Sequence, residues 1–278
     1  MSGPKGDSKT AATAVKNYFA LTTGASGGIG ACFARALAAR GKNLVLVARS
    51  KDKLDALARE IAAQHTVRIE VIEQDLAVEG AAARLAATLK ERGIAVDLVV
   101  NNAGFGAHGE FWKLPWERQA EMLRLNIMTL TELAHRLLPA MVERRSGGIN
   151  NVSSTASIQP VPYTSVYAAT KAFVTSFSMG LAEEVEGYGV KVLALCPGGT
   201  ATNFFDASQY SQREFPGGLQ SPQEVVELGL RALDRGRSLA VGRFINRLMI
   251  FARRLAPRWL VAKQAAHMFR PKTLHEGN

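Results

Sequence analysis

The stretch from Ser153 to Phe173, SSTASIQPVPYTSVYAATKAF, holds two tyrosines, and one of them, Tyr167, stands four residues before Lys171. On a helix, residues i and i+4 share a face, so this spacing sets an ammonium beside a phenol. A free phenol has a pKa of about 10, too high for efficient proton exchange near neutrality. Lowering it by roughly three units takes about 4 kcal/mol of preferential stabilisation of the phenolate, and a nearby cation is a direct means. Tyr163 has Tyr167 itself at its fourth following position and lacks a charged partner. Tyr167 is the candidate acid.

Such a pair acts only if a fold holds it at a cleft. Short apolar segments at Tyr18–Thr23, Asn43–Ala48, Val67–Glu73, Val96–Val100, Gly148–Ser153 and Val190–Cys196 read as strands buried on both faces. Between them lie helical patterns at Ile29–Arg40, Lys51–Gln64, Val78–Arg92, Trp116–Arg145 and Ser165–Gly187. Alternating strands and helices imply an α/β fold with a parallel sheet wrapped by crossover helices. No linker divides the chain. The expectation is one doubly wound domain over residues 17–242, a polar N-terminal arm at 1–16, and a basic amphipathic extension at 243–278. Ligands of such sheets bind beyond the carboxyl ends of the strands, and the suggestive residues lie there.

The first strand runs into TTGASGGIG, where Gly24, Gly28 and Gly30, with Ser26 and Ile29 among them, open a helix. Glycines permit a tight turn and close backbone approach to a pyrophosphate, and the helix N-terminus adds oriented N–H donors. The spacing TGxxxGxG, the run Asn101-Asn102-Ala103-Gly104 after the fourth strand and the Tyr167/Lys171 pair together resemble the short-chain dehydrogenase/reductase family over about Phe19 to Asp206.

That resemblance implies a single Rossmann-type domain of about seven parallel strands, the last at Ser238–Gly242, and a nicotinamide cofactor. The second strand ends at Ala48-Arg49-Ser50, where an acidic residue would mark NAD. Arg49 instead offers a guanidinium suited to a 2′-phosphate, with Lys53 one turn on, so NADP(H) is expected. The bland alternative for Arg49 is a solvated residue after a strand. NADP-preferring members often carry a basic residue just before the middle glycine, a place held here by Gly27. The resemblance also sets Asp75 and Leu76 at the adenine, Asn102, Ala103 and Gly104 along the adenine ribose and strand end, and Pro197, Gly198, Thr200 and Thr202 beside the nicotinamide. Lys171 would hold the nicotinamide ribose, and Ser154 would hydrogen-bond the substrate oxygen. Asn126 would kink its helix and hold a water linking Lys171 to solvent. Ser153 should face the other way. The implied activity is reduction of a ketone or aldehyde, or the reverse. The alternatives are an NAD-dependent alcohol dehydrogenase of the same family and a non-catalytic NADP(H)-binding sensor or scaffold.

Composition narrows the rest. The two cysteines, Cys32 and Cys196, and five scattered histidines offer no disulfide framework or metal ligand set. No apolar run is long enough to span a bilayer, and a cytoplasmic location is the default. The formal charge of +10 is uneven: residues 231–278 carry eleven Lys/Arg against Asp234 and Glu276, or +9. This terminal bias, without aromatic stacking motifs, argues against a nucleic-acid partner. The stripe Val241, Phe244, Ile245, Leu248, Ala252 and Leu255, with Arg243, Arg247 and Arg254 off it, suits a membrane surface, a subunit or the lid of a pocket. Phe105, His108, Phe111, Trp112, Val161, Tyr163, Phe204 and Phe205 are candidate pocket residues and favour a lipophilic small-molecule carbonyl. By resemblance, the helices over 116–145 and 165–187 could pair between subunits in a homodimer or homotetramer.

Overall fold

The computed structural model describes residues 18–202, 218–243 and 257–271. The N-terminal arm, Phe204, Phe205 and most of the C-terminal stripe, including Arg247 and Arg254, lie outside the described residues.

Seven strands form one sheet: β1 (Tyr18–Thr23), β2 (Asn43–Ala48), β3 (Ile69–Glu73), β4 (Ala95–Asn101), β5 (Gly147–Val152), β6 (Val190–Cys196) and β7 (Leu239–Val241). Their order is β3-β2-β1-β4-β5-β6-β7 and each neighbouring pair is parallel. Successive side chains point to opposite faces, so each strand feeds two cores. Ala20, Leu44, Leu46 and Val100 meet α1 (Gly28–Ala39), α2 (Lys51–Gln64) and α7 (Pro222–Asp234) through Phe33, Leu54 and Leu230. Leu21, Val45, Val47 and Val99 meet α3 (Ala81–Glu91), α5 (Leu130–Glu143) and α6 (Ser165–Val185) through Leu85, Leu133 and Leu181. Covering both faces explains why the strands read as continuous apolar runs.

The span 116–145, expected as one helix, is three pieces. α4 (Trp116–Leu123) passes into a π-helical segment, Arg124–Thr129, before α5 resumes. The alternation of segments noted above leaves 222–234 without an element, and α7 occupies it. Its start is set by a capping box in which Glu224 N donates to Ser221 Oγ at 3.1 Å and Ser221 N donates to Glu224 Oε2 at 3.0 Å, with Pro222 at the first helical position. Among the described residues the last helix is α8 (Arg258–Phe269). No helix among the described residues is long and apolar enough to cross a membrane.

Candidate active site

β1 is flanked by β2 on one side and β4 on the other, so the crossovers diverge there and open a crevice at the carboxyl edge. The turn after β1 needs its glycines for two separate reasons. Gly24 and Gly28 adopt φ of +65° and +53°, which a side chain disfavours. At Gly30 a Cβ would fall 2.2 Å from Gly24 O and 2.6 Å from Asn102 Nδ2, so space is the constraint. Asn102 fixes this turn, donating from Nδ2 to Thr23 O at 2.9 Å and to Gly24 O at 3.2 Å. Thr23 Oγ1 accepts from Asn102 N and Ala103 N, each at 3.0 Å. The two loops therefore form one unit.

A cleft of about 660 Å³ extends from this turn across the strand ends. Gly24, Ser26, Gly28, Ile29, Arg49, Lys53, Asp75 and Leu76 line it, as do Asn102, Ala103, Gly104, Ser154, Tyr167 and Lys171, and beyond them Pro197, Gly198, Thr200 and Thr202. Two expected residues, Gly30 and Asn126, stand behind the wall. Gly30 packs under the turn. Asn126, fully buried in the π segment, donates from Nδ2 to Phe105 O at 3.0 Å and to Thr170 Oγ1 at 3.1 Å, and its Oδ1 accepts from Phe105 N at 3.3 Å. A Cβ on Gly104 would lie 2.9 Å from Asn126 Oδ1 and 3.4 Å from Lys171 Nζ, so this glycine leaves both polar groups room.

Tyr167 and Lys171 sit on the inward face of α6, 9% and 5% exposed. Lys171 Nζ lies 5.8 Å from the Tyr167 ring centroid and donates to Val152 O at 2.8 Å. Burial dominates both groups: it pushes the phenol up to about 12, against a hydrogen bond with Ser154 that lowers it, and pulls the ammonium down to about 8. The chain alone thus keeps Tyr167 protonated at neutral pH, and the ammonium does not by itself bring the phenol near 7. Ser154 Oγ also accepts from Ala156 N at 3.1 Å, which fixes it at the start of a short 3₁₀ turn. Ser153 turns its hydroxyl into α6, donating to Lys171 O at 2.8 Å.

The chemistry of the lining suits a dinucleotide. Arg49 and Lys53 both face the cleft, and neither has a carboxylate partner within ion-pairing distance among the described residues. Two uncompensated cations one turn apart fit a phosphate dianion. Asp75 Oδ1 accepts from Ala77 N at 2.8 Å, and Thr202 stands against Gly28, its Cγ2 3.1 Å from where a Cβ would be. Of the proposed pocket residues, Phe105 and Val161 line the cleft, whereas His108, Phe111, Trp112 and Tyr163 do not.

Several lining residues escape the sequence reading. Gln220, 4% exposed, accepts from Gly198 N at 3.0 Å through Oε1 and pairs with Thr200 as an isolated bridge, so it sets the path of the 198–202 segment. Its place just before the Ser221 capping box was the available clue. Arg243, Met268 and Phe269 arrive from the C-terminal segment, and only the fold brings them to the cleft.

A family model of short chain dehydrogenases matches residues 18–213. Hydroxysteroid dehydrogenase-like protein 1 of Gallus gallus is 37% identical over 208 residues, 72% of this chain and 62% of that protein, so the chain spans less than two thirds of that relative. The very-long-chain 3-oxoacyl-CoA reductase of Homo sapiens is 31% identical over 262 residues, 92% of this chain and 81% of the other. Among solved structures, a short-chain dehydrogenase from Sphingobium yanoikuyae in complex with NADPH superposes with a TM-score of 0.77 at 32% identity, covering 85% of this chain and 94% of that one. Sheet order, glycine turn and family match agree: the chain belongs to the short-chain dehydrogenase/reductase family.

Proposed function

We propose that the protein is an NADPH-dependent reductase of lipophilic ketones or aldehydes. The observation that carries this reading is the convergence, in one cleft, of the Ser154–Tyr167–Lys171 set with the glycine turn and the two uncompensated cations Arg49 and Lys53. NADPH, when bound, supplies the hydride. Everything else is done by the chain. Gly24, Gly28 and the first amides of α1 would receive the pyrophosphate, and Arg49 and Lys53 would hold the 2′-phosphate. Ser154 Oγ and Tyr167 Oη grip the carbonyl oxygen, and Tyr167 gives its proton to that oxygen as negative charge develops. Burial, which pushes the phenol up to about 12, keeps it protonated at pH 7 but makes it a weaker acid, so the positive charge of Lys171 and of the oxidised nicotinamide would have to favour the phenolate as the proton leaves. Lys171, anchored at Val152 O and 5.8 Å from the centre of the Tyr167 ring, would hold the nicotinamide ribose. Asn126 sits behind Gly104 with its amide oxygen close to the Lys171 side, placed to order a water there.

The apolar lining at the far end, Phe105, Ile158, Val161, Met268 and Phe269, supports a bulky lipophilic substrate. The named activities of the steroid-type and long-chain acyl relatives point the same way. The test is NADPH and NADH oxidation against steroid-sized ketones, long-chain 3-oxoacyl thioesters and small ketones. Turnover of at least one bulky carbonyl with NADPH preferred is expected; no turnover of any carbonyl overturns the reading.

Two assembly readings accompany it. Phe173, Met179 and Met128 are exposed on α6 and the π segment, which supports pairing of these helices between subunits. Trp259 and Leu260, 68% and 47% exposed on α8, add apolar surface to the basic C-terminal segment and favour contact with an anionic bilayer surface. Co-sedimentation with anionic liposomes at low and high salt tests the latter, and absence of binding at low salt removes it.

A further inference from the structure

α8 reaches the cleft with its last turn, where Met268 and Phe269 join the lining. Its docking face is narrow: Val261 and Ala265 are buried, while Trp259, Leu260, Lys263, Gln264 and His267 are exposed. Polar contacts secure the end of the helix. His108 Nε2 lies 2.8 Å from Phe269 O, and because a carbonyl only accepts, the histidine donates from Nε2–H. Arg270 Nε donates to Tyr163 Oη at 3.3 Å. Gly109 N donates to Tyr163 O at 2.8 Å, closing a ring of loop 108–109, Tyr163 and residues 269–270. Tyr163 itself holds a φ of +64°. A bulky side chain rarely adopts that conformation, and it persists where surrounding contacts impose it.

His108 and Tyr163 thus stand outside the cleft yet grip the element that completes it. We infer that they are positioning residues, a latch that seats α8 so that Met268 and Phe269 form the wall selecting bulky lipophilic carbonyls; this rests on the reductase reading above. A large apolar substrate buries surface against that wall and a small one does not reach it, so loosening α8 penalises the large substrate more. The bland alternative is a surface helix whose end contacts leave substrate choice untouched.

The experiment has two arms. In the first, kcat/KM is compared for a steroid-sized ketone and for cyclohexanone. In His108→Ala/Tyr163→Phe, and separately in Phe269→Ala, the ratio of the two should fall at least tenfold, chiefly through KM of the large ketone. His108→Gln, whose amide can donate to the same carbonyl, should hold the ratio within about threefold of wild type. In the second arm, hydrogen exchange of the α8 amides should quicken at least tenfold in the double variant, with β1 amides unchanged. An unchanged ratio, or α8 exchange as slow as in wild type, overturns the latch. Should the wild type reduce no carbonyl, the reductase reading fails while the exchange arm still decides the latch.

Discussion

Lys171 places an ammonium at a site only 5% exposed, where it donates to a backbone carbonyl and burial pulls its pKa down. Holding its folded-state pKa near 8 against an ordinary 10.5 costs about 3 kcal/mol at neutral pH. Between those two values the unfolded chain binds the extra proton, so this contribution to stability rises with pH across the window. Lys171→Met should therefore raise the urea midpoint at pH 7, with the advantage narrowing by pH 10; a constant difference would contradict the assigned cost. Arg49 lines the same cleft. Arg49→Asp should lower kcat/KM with NADPH at least a hundredfold relative to NADH, and an unchanged preference in steady-state kinetics would reject its 2′-phosphate role. The Tyr167–Lys171 pair was legible because four-residue spacing on a helix fixes a shared face. The Val152 carbonyl that anchors the lysine was not, since a backbone acceptor leaves no mark in side-chain pattern. Nor was the burial that pushes the phenol's pKa up.

Elements carry strain and silence of their own. Asn150 lies in the middle of β5, fully buried, with neither side-chain atom hydrogen-bonded among the described residues. Its neighbour Asn151 is satisfied, accepting from Asn101 Nδ2 and donating to Ser178 Oγ, each at 2.9 Å. The sequence predicts that one of the pair needs a buried partner; Asn151 has it. Asn150→Leu, close in shape, should stabilise the fold by about 1–2 kcal/mol in urea unfolding, and destabilisation would reveal a polar partner at that site. The six longer strands were readable to within two residues because β-branched and aliphatic runs bounded by turn residues leave few alternatives. The π segment was not: its side chains continue the helical pattern of α4 and α5, and the extra backbone loop shows only in hydrogen bonding. α7 was legible in principle through Ser221-Pro222-Gln223-Glu224, a capping box that a search for strand–helix alternation passes over.

At the scale of the molecule, the sheet brings residues separated by more than a hundred positions to one edge, from Gly24 through Asn102 and Ser154 to Thr200. A parallel order with helices on both faces makes that convergence a property of topology rather than of any single contact. The C-terminal segment shows where pattern alone stops. Its charge and apolar spacing were evident, but three uses fitted them, and among the described residues Arg243 and the docked end of α8 tie the segment to the cleft. Tyr167 as the proton donor in an NADPH-binding cleft is the central proposal. Its most direct test is single-turnover NADPH oxidation with an accepted bulky ketone, comparing wild type with Tyr167→Phe after NADPH binding has been measured in the same samples. The account predicts that the variant still binds NADPH while turnover drops roughly 10³-fold. Turnover within tenfold of wild type by a variant that binds NADPH would contradict it.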